Sequence, residues 1–274
     1  MKNLKSLLLI ITIFILSVFL LHKSTNPFFI NETTYQFLND QEVNSHLQHL
    51  LQIHYENHKP IRIDGNSDFI DQATKENWLG NGTLLNPFLI NSLGINNITE
   101  GNLVSISNTD VYFQIINCFI SGGSRGIYFY NVENGIIKNN IIINSNSGVV
   151  IDDSKNNFIL NNSITNTNGT GIRLNHSIDN EIESNSATYN DGSGIYLSQT
   201  NATVIRNNTL SKNKNGIHIT SSENNLIENN TFVNNAGHGV YQIHSLSTTI
   251  VNNSLSTNAG IGIHIDSSSS NRIV

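Results

Sequence analysis

The chain has 274 residues, of which only 12% are charged, and 20 Asp and Glu outweigh 14 Lys and Arg for a net charge of -6. No nucleic-acid partner is predicted, because binding to phosphates needs an excess of cations. A hydrophobic fraction of 38% excludes a multi-span membrane protein, and the single cysteine, Cys118, excludes both an internal disulfide and a cysteine-based zinc site. No cofactor is predicted.

Residues 1–25 have the character of an export leader. Lys2 and Lys5 precede an apolar stretch from Leu7 to Leu21, which is shorter than the roughly 20 residues that span a bilayer. No small-x-small cleavage site follows, so two fates stay open, a cleaved signal peptide or a retained one-pass anchor. Both predict an extracytoplasmic protein, at the cell surface, in a periplasm-like space or secreted, and the anchor adds a membrane partner.

Residues 26–59 are predicted to be a linker with one amphipathic helix, and residues 60–102 an N-terminal capping segment. Asn39 and Glu42 form a capping box. Apolar residues then recur at helical spacing before Tyr55, namely Val43, Leu47, Leu50 and Leu51. Because the first rung of a solenoid needs a cover, this helix or the segment after it is the predicted cap.

Residues 103–274 contain a repeat of 22 or 23 residues. Each repeat has a glycine, an aliphatic residue directly after it, and a second inward position two further on, as in a strand with one buried face. The glycines are Gly126, Gly148, Gly171, Gly194, Gly216, Gly239 and Gly262. Eleven residues after each glycine comes an isoleucine, in the column Ile137, Ile159, Ile182, Ile205, Ile227, Ile250 and Ile273.

This spacing predicts an all-β fold, a right-handed parallel β-helix of about eight rungs stacked at about 4.8 Å. Ser, Asn, Asp and Gly, which disfavour helix interiors, separate the short strands. A leucine-rich repeat has a similar length but places its leucines at other offsets. The chain ends inside a repeat, so either the rod ends uncapped or the protein continues beyond Val274.

A polar pair, mostly Asn-Asn, follows thirteen and fourteen residues after the repeat glycine. The pairs are Asn139-Asn140, Asn161-Asn162, Ser184-Asn185, Asn207-Asn208, Asn229-Asn230 and Asn252-Asn253. Asn tolerates left-handed backbone at corners, and stacked amides can satisfy one another when buried. The column therefore predicts a buried ladder, with a polar binding face as the alternative. Cys118 shares its offset and is predicted to be a buried corner residue.

The repeat resembles that of a known family. The sequence GIHITSSENNLIENN at residues 216–230 is similar to the right-handed β-helix repeats of NosD-type periplasmic proteins and of the carbohydrate-binding and sugar-hydrolase modules grouped with them. The segments at 61–66, 80–83 and 86–90 are similar to the start of such proteins on archaeal and bacterial surfaces. The resemblance covers about residues 60–274. It implies the fold but does not choose among lyases, hydrolases, epimerases, metal-delivery proteins and adhesins.

Three groups of residues are candidates for function. The first is the outward column two residues after each glycine, where strand alternation turns side chains to solvent. Its predicted ligand-binding members are Tyr128, Arg173, Tyr196, His218, Tyr241 and His264, with Val150 between the first two. A row of aromatic and cationic groups one rung apart suits a sugar polymer lying along the rod. The alternative is that these residues merely favour strands.

The other two groups are weaker candidates. Asp152, Asp153 and His176 offer acid–base chemistry, but glycoside hydrolysis needs two carboxylates at a defined separation, and adjacent strand residues point opposite ways. Solvated turn residues are the alternative. Histidines on or just after the predicted helix, His46, His49, His54 and His58, could share a face and bind copper or zinc. A solvated helix face is the alternative there.

The sequence therefore predicts an exported, membrane-tethered β-helix that serves as a binding or structural surface module, with polysaccharide or glycan as its partner. A non-enzymatic role is favoured. A polysaccharide hydrolase or lyase is the first alternative, and the NosD resemblance implies periplasmic copper handling as the second.

Overall fold

The structure, a computed structural model, describes residues 55–97 and 101–274. The predicted leader, most of the predicted linker and its helix, and three of the four candidate metal-binding histidines, His46, His49 and His54, lie outside these residues. The described chain is a right-handed parallel β-helix made of three nine-stranded sheets, named A, B and C.

Most strands of sheet A are three residues long. The nine strands are β1 (Glu56–Asn57), β4 (Leu93–Asn97), β7 (Phe119–Gly122), β10 (Ile141–Ile143), β13 (Ser163–Thr165), β16 (Ser186–Thr188), β19 (Thr209–Ser211), β22 (Thr231–Val233) and β25 (Ser254–Ser256).

Sheet B contains the strands that follow the repeat glycines. They are β2 (Ile61–Asp64), β5 (Asn102–Thr109), β8 (Arg125–Val132), β11 (Ser147–Asp152), β14 (Ile172–Asn175), β17 (Ile195–Ser198), β20 (Ile217–Thr220), β23 (Val240–Ile243) and β26 (Ile263–Asp266).

Sheet C contains the isoleucine column. Its strands are β3 (Phe88–Asn91), β6 (Phe113–Ile116), β9 (Gly135–Lys138), β12 (Phe158–Leu160), β15 (Glu181–Glu183), β18 (Val204–Arg206), β21 (Leu226–Glu228), β24 (Thr249–Val251) and β27 (Arg272–Ile273). Strands β5 to β26 of sheet B supply the eight predicted rungs, and β2 adds one from the predicted capping segment.

Like residues stack on like in the parallel register. Ile195 pairs with Ile172 on one side and Ile217 on the other, and Ile205 pairs with Ile182 and Ile227. These side chains are fully buried and form one core along the coil. The third inward column, in sheet A, was not recognised from the sequence: Ile120, Ile142, Ile164, Ala187, Leu210 and Phe232.

The repeat glycine is required by the close approach of successive turns. A Cβ atom on Gly216 would lie 2.5 Å from the Gly239 carbonyl oxygen and 2.4 Å from Cδ1 of Phe232. No side chain fits in that space, so this column stays glycine while the residues after it vary.

A helix covers the first rung. It is α1 (Asn66–Lys75), and its Phe69 is fully buried, with its ring centroid 4.9 Å from that of Phe113 and 5.3 Å from that of Phe88. The cap is thus supplied by the segment after the predicted helix. The apolar end of the core is shielded by aromatic packing at this point.

The second member of each predicted asparagine pair is buried. We call this column the asparagine ladder: Asn140, Asn162, Asn185, Asn208, Asn230 and Asn253, of which all but the last are buried. Each Nδ2 donates to the next Oδ1 at 2.9 to 3.1 Å. The first member instead forms the corner, with a φ of 55° at Asn229, and is partly or fully exposed. Cys118 sits at the start of the column, fully buried, and burial raises the pKa of its thiol to about 11.

Candidate functional site

The outward column of sheet B places four rings in direct succession. We call Tyr196, His218, Tyr241 and His264 the ring row. Each pairs in register with the next across β17, β20, β23 and β26, and each is partly exposed. Arg173 on β14 precedes Tyr196 in the same column.

The rings are in contact with one another. Centroids lie 5.0 Å apart between Tyr196 and His218, 4.8 Å between His218 and Tyr241, and 5.2 Å between Tyr241 and His264. The middle pair is stacked, with an interplanar angle of 25°. Contact on both sides restricts the rotamers of the central rings, so the row is a preformed surface.

Tyr128 stands apart from this row. Val150 lies between Tyr128 and Arg173 in the register and is itself buried, which interrupts the column. Tyr128 packs instead beneath the Arg125 guanidinium, with Cζ 4.4 Å from the ring centroid. Of the six predicted binding residues, the structure therefore brings five into one continuous column and leaves Tyr128 on the far side of a gap.

His238 packs against the ring row and was not predicted from the sequence. Its centroid lies 5.3 Å from Tyr241 and 4.8 Å from His264. It comes from the column directly before the repeat glycine, three residues before the ring that it covers. Arg125 occupies the same column and covers Tyr128 in the same way. Inspection of that column for planar side chains would have found both.

A cation lies near the centre of the ring row. Burial, and after it the nearby Lys214, lower the pKa of His218 below its ordinary value. Beyond the gap at Val150, burial and then the Asp152 carboxylate raise the pKa of Tyr128. The centre of the ring row is thus held neutral near pH 7, with Arg173 and Lys214 beside it.

Asp153 and His176 line a groove at the corner between sheets B and C. This corner groove has a volume of about 520 Å³. Both residues adopt left-handed backbone, with φ of 49° and 46°, and both are exposed. Asp152 does not line the groove but lies near Tyr128 on sheet B, so the two adjacent aspartates face different surfaces.

Other charged groups in the corner groove are paired. Lys155 Nζ lies 3.2 Å from a carboxylate oxygen of Glu133, and Asn66 Nδ2 donates to Asp110 Oδ1 at 2.7 Å. Asp153 and His176 come from equivalent positions of successive repeats. The groove therefore offers one carboxylate and one imidazole for acid–base chemistry.

No group of three or more His, Cys, Asp or Glu able to hold a metal occurs in residues 55–97 and 101–274. His58, the one described member of the predicted histidine cluster, faces Glu76, with Nε2 3.6 Å from Oε2. Within the same residues, no helix is long and apolar enough to cross a bilayer.

Fold and site together define a parallel β-helix protein with a preformed aromatic surface along one sheet. The family model of NosD, described as periplasmic copper-binding protein, matches residues 59–244 and 190–274. The chain belongs to this family. No curated protein sequence matches it.

Solved structures share the fold at low identity. A point mutant of the periplasmic alginate epimerase AlgG is 18% identical with a TM-score of 0.52, over 63% of this chain and 48% of that one. The Azotobacter vinelandii mannuronan C-5 epimerase AlgE6 A-module is 12% identical with a TM-score of 0.54, over 68% and 73%. The enzymatically active domain of bacteriophage CBA120 tailspike protein 2 is 13% identical with a TM-score of 0.55, over 83% and 40%. The chain spans about half the length of the alginate epimerase.

The described residues do not fit the copper ion that the family description implies. His238 and His264 are the nearest pair of imidazoles, with Nε2 of the first 3.5 Å from Nδ1 of the second. These nitrogens face each other, and Nδ1 of His238 already accepts from the Ile261 N–H at 3.0 Å. Both nitrogens of His238 are therefore engaged within the protein, and no third ligand stands beside them.

Proposed function

We propose that this protein is a binding module for a polysaccharide or glycan that lies along the ring row. The observation that carries the proposal is the unbroken contact of Tyr196, His218, Tyr241 and His264 on an outward, partly exposed face. Export by the leader would place this surface outside the cytoplasm, in keeping with the periplasmic description of the family. Retention of the leader would tether the rod to a membrane.

The geometry favours a polymer over a small ligand. With strands spaced by about 4.8 Å, the four rings extend about 15 Å along the rod axis. A sugar ring presents an apolar C–H face and a rim of hydroxyl groups, which suit an aromatic face bordered by imidazole, phenol and guanidinium tips. A chain of sugars would touch every ring, whereas a monosaccharide would touch one or two.

The solved structures of similar fold add support at the level of the scaffold. Two are epimerases whose printed names include alginate or mannuronan, so this coil carries polysaccharide sites in other proteins. At 12 to 18% identity the likeness extends to the fold alone. The proposal therefore rests on the ring row.

Binding of the full-length chain to a panel of neutral and uronate polysaccharides tests this function. Tyr196→Ala and Tyr241→Ala should each weaken polymer binding about fivefold, and the double variant about 25-fold, since each removes one stacking ring. Phe158→Ala is the matched control, because Phe158 is an exposed aromatic on sheet C. The proposal fails if the parent binds no glycan, or if the double variant binds as tightly as the parent.

The corner groove favours a second candidate, a polysaccharide hydrolase or lyase. In that case Asp153 or His176 would act as a general acid or base on a bound chain, because they share a cavity large enough for sugar units. The test measures release of reducing ends or unsaturated uronates by the parent, and its loss in Asp153→Asn and His176→Ala. No release by the parent from any polysaccharide of the panel removes this candidate.

A further inference from the structure

One outer face of the rod is buried over part of its length. In sheet A, residues that alternate with the inward column face away from the coil. Seven of them, on β7 to β16, are buried: Phe119, Ser121, Ile143, Ser163, Thr165, Ser186 and Thr188. On β19, β22 and β25 the same positions are partly or fully exposed. Burial of this face therefore ends between β16 and β19.

The buried face has the chemistry of a packing surface. Phe119 and Ile143 form a small hydrophobic cluster with Tyr55 and Ile141, separate from the main core. The remaining buried positions are Ser or Thr, and none of the buried outward residues is charged. The short, uncharged Ser and Thr side chains therefore lie beside the apolar cluster of Phe119 and Ile143.

The described chain begins on this face. The Tyr55 ring centroid lies 5.8 Å from that of Phe119, and a Cβ atom on Gly94 would lie 3.1 Å from Tyr55 Cβ. Strand β1, directly after Tyr55, pairs with β4 at the edge of sheet A. The described chain therefore enters the coil at this face.

We infer that residues 39–54 dock on the outer face of sheet A as an amphipathic helix. Sixteen helical residues measure about 24 Å, and the face from β4 to β16 measures about 19 Å, so one helix covers it. The apolar side chains Val43, Leu47, Leu50 and Leu51 share one side of that helix. Running back from Tyr55, the helix joins the leader to the flank of the rod.

Thiol labelling of the full-length chain tests this docking. The reporter is Thr165→Cys, at a fully buried outward position on β13, and the matched control is Ser211→Cys, at the equivalent, partly exposed position on β19. Cys118 provides an internal standard for global unfolding, because it lies in the coil and not on this face. The reporter should react at least about tenfold more slowly than the control.

Two pairs of substitutions then separate the faces of the helix. Leu47→Asp with Leu50→Asp places charge on the apolar side and should raise the reporter's rate to that of the control. Ser45→Asp with Gln52→Asp places equal charge on the opposite side and should leave it unchanged. Cys118 should stay unreactive in both. If Cys118 reacts in the Leu47→Asp and Leu50→Asp variant, that variant is unfolded, and the single substitution Leu47→Ala is used in its place.

Three results would overturn the inference. The reporter could react as fast as the control in the parent, which would mean that the face is open. Its rate could be unchanged by substitutions on the apolar side, which would mean that another segment covers it. Finally, protection could vanish on dilution, which would identify a second copy of the chain as the cover.

Discussion

The asparagine ladder and the ring row are built by the same device, a side chain repeated every 22 or 23 residues and stacked in parallel register. The ladder points into a corner of the coil, where each amide donates to the next and to a buried carbonyl, as Asn230 Nδ2 does to Ile205 O at 2.9 Å. The ring row points outward and keeps partly exposed faces. One column has its polar groups satisfied within the fold, and the other offers its surface to a ligand.

This difference shows that stacking alone does not indicate function. Buried amides in a ladder would each cost free energy if unpaired, so the column is required for stability. Stacked rings on an outward face stay partly exposed, and we expect their removal to cost little stability. The direction of the Cα–Cβ bond relative to the coil axis therefore separates structural columns from binding columns, and four measurements test this separation.

The largest effect is expected in the core that both columns border. Ile227→Ala removes a fully buried side chain that is packed between Ile205 and Ile250, and the stacked turns limit collapse into the cavity. The free energy of unfolding should fall by about 2 to 5 kcal/mol. Denaturant unfolding measures it, and a loss below 1 kcal/mol would contradict the assigned register.

The ladder should show the next largest effect. Asn230→Ala leaves the N–H of Asn208 without its acceptor and the Ile205 carbonyl without the Nδ2 donor, and should cost about 1 to 3 kcal/mol of unfolding free energy. Asn229→Gly is the matched control, since Asn229 is exposed with positive φ and glycine suits that conformation. Equal losses from both would show that the ladder does not depend on the buried member.

Stability should change little in the ring row. Tyr241→Ala removes an outward ring and should alter the free energy of unfolding by about 0.5 kcal/mol or less. The same denaturant measurement applies, alongside the binding assay. If Tyr241→Ala lowered the free energy of unfolding as much as Asn230→Ala does, the ring row would be required for stability, as the asparagine ladder is.

The smallest effect concerns the charge of His218. Burial and Lys214 lower its pKa in the folded state, so between its ordinary pKa of about 6.5 and the lower folded value the unfolded chain binds more protons. Stability should therefore fall slightly as the pH drops through this window. Lys214→Gln should raise the pKa of His218, measured by NMR titration, without restoring it fully, because burial remains. An unchanged pKa would show that Lys214 does not act on the ring row.

Much of this architecture was determined by the sequence alone. The period, the glycine column, the two isoleucine-rich columns, the eight rungs after Leu103 and the buried corner amides all follow from residue spacing, because parallel stacking places the same demand on the same position of every turn. Family membership follows from the same repeat.

Only the tertiary structure decided what does not recur from turn to turn. Spacing predicts an asparagine ladder but cannot say that Asn230 is buried and Asn229 forms the corner, since both occur in most repeats. His238 contacts the ring row from a loop position whose equivalents in other repeats are mostly unrelated residues. Tyr128 is separated from the ring row because the buried side chain of Val150 interrupts the outward column. The sheet A column escaped detection because its residues differ from turn to turn, from Ile164 to Ala187, Leu210 and Phe232, whereas the sheet C column is isoleucine in every repeat. The sequence repeat reflects the packing and hydrogen bonding that every turn shares. A site depends instead on contacts made once, between particular side chains that the fold brings within a few ångströms.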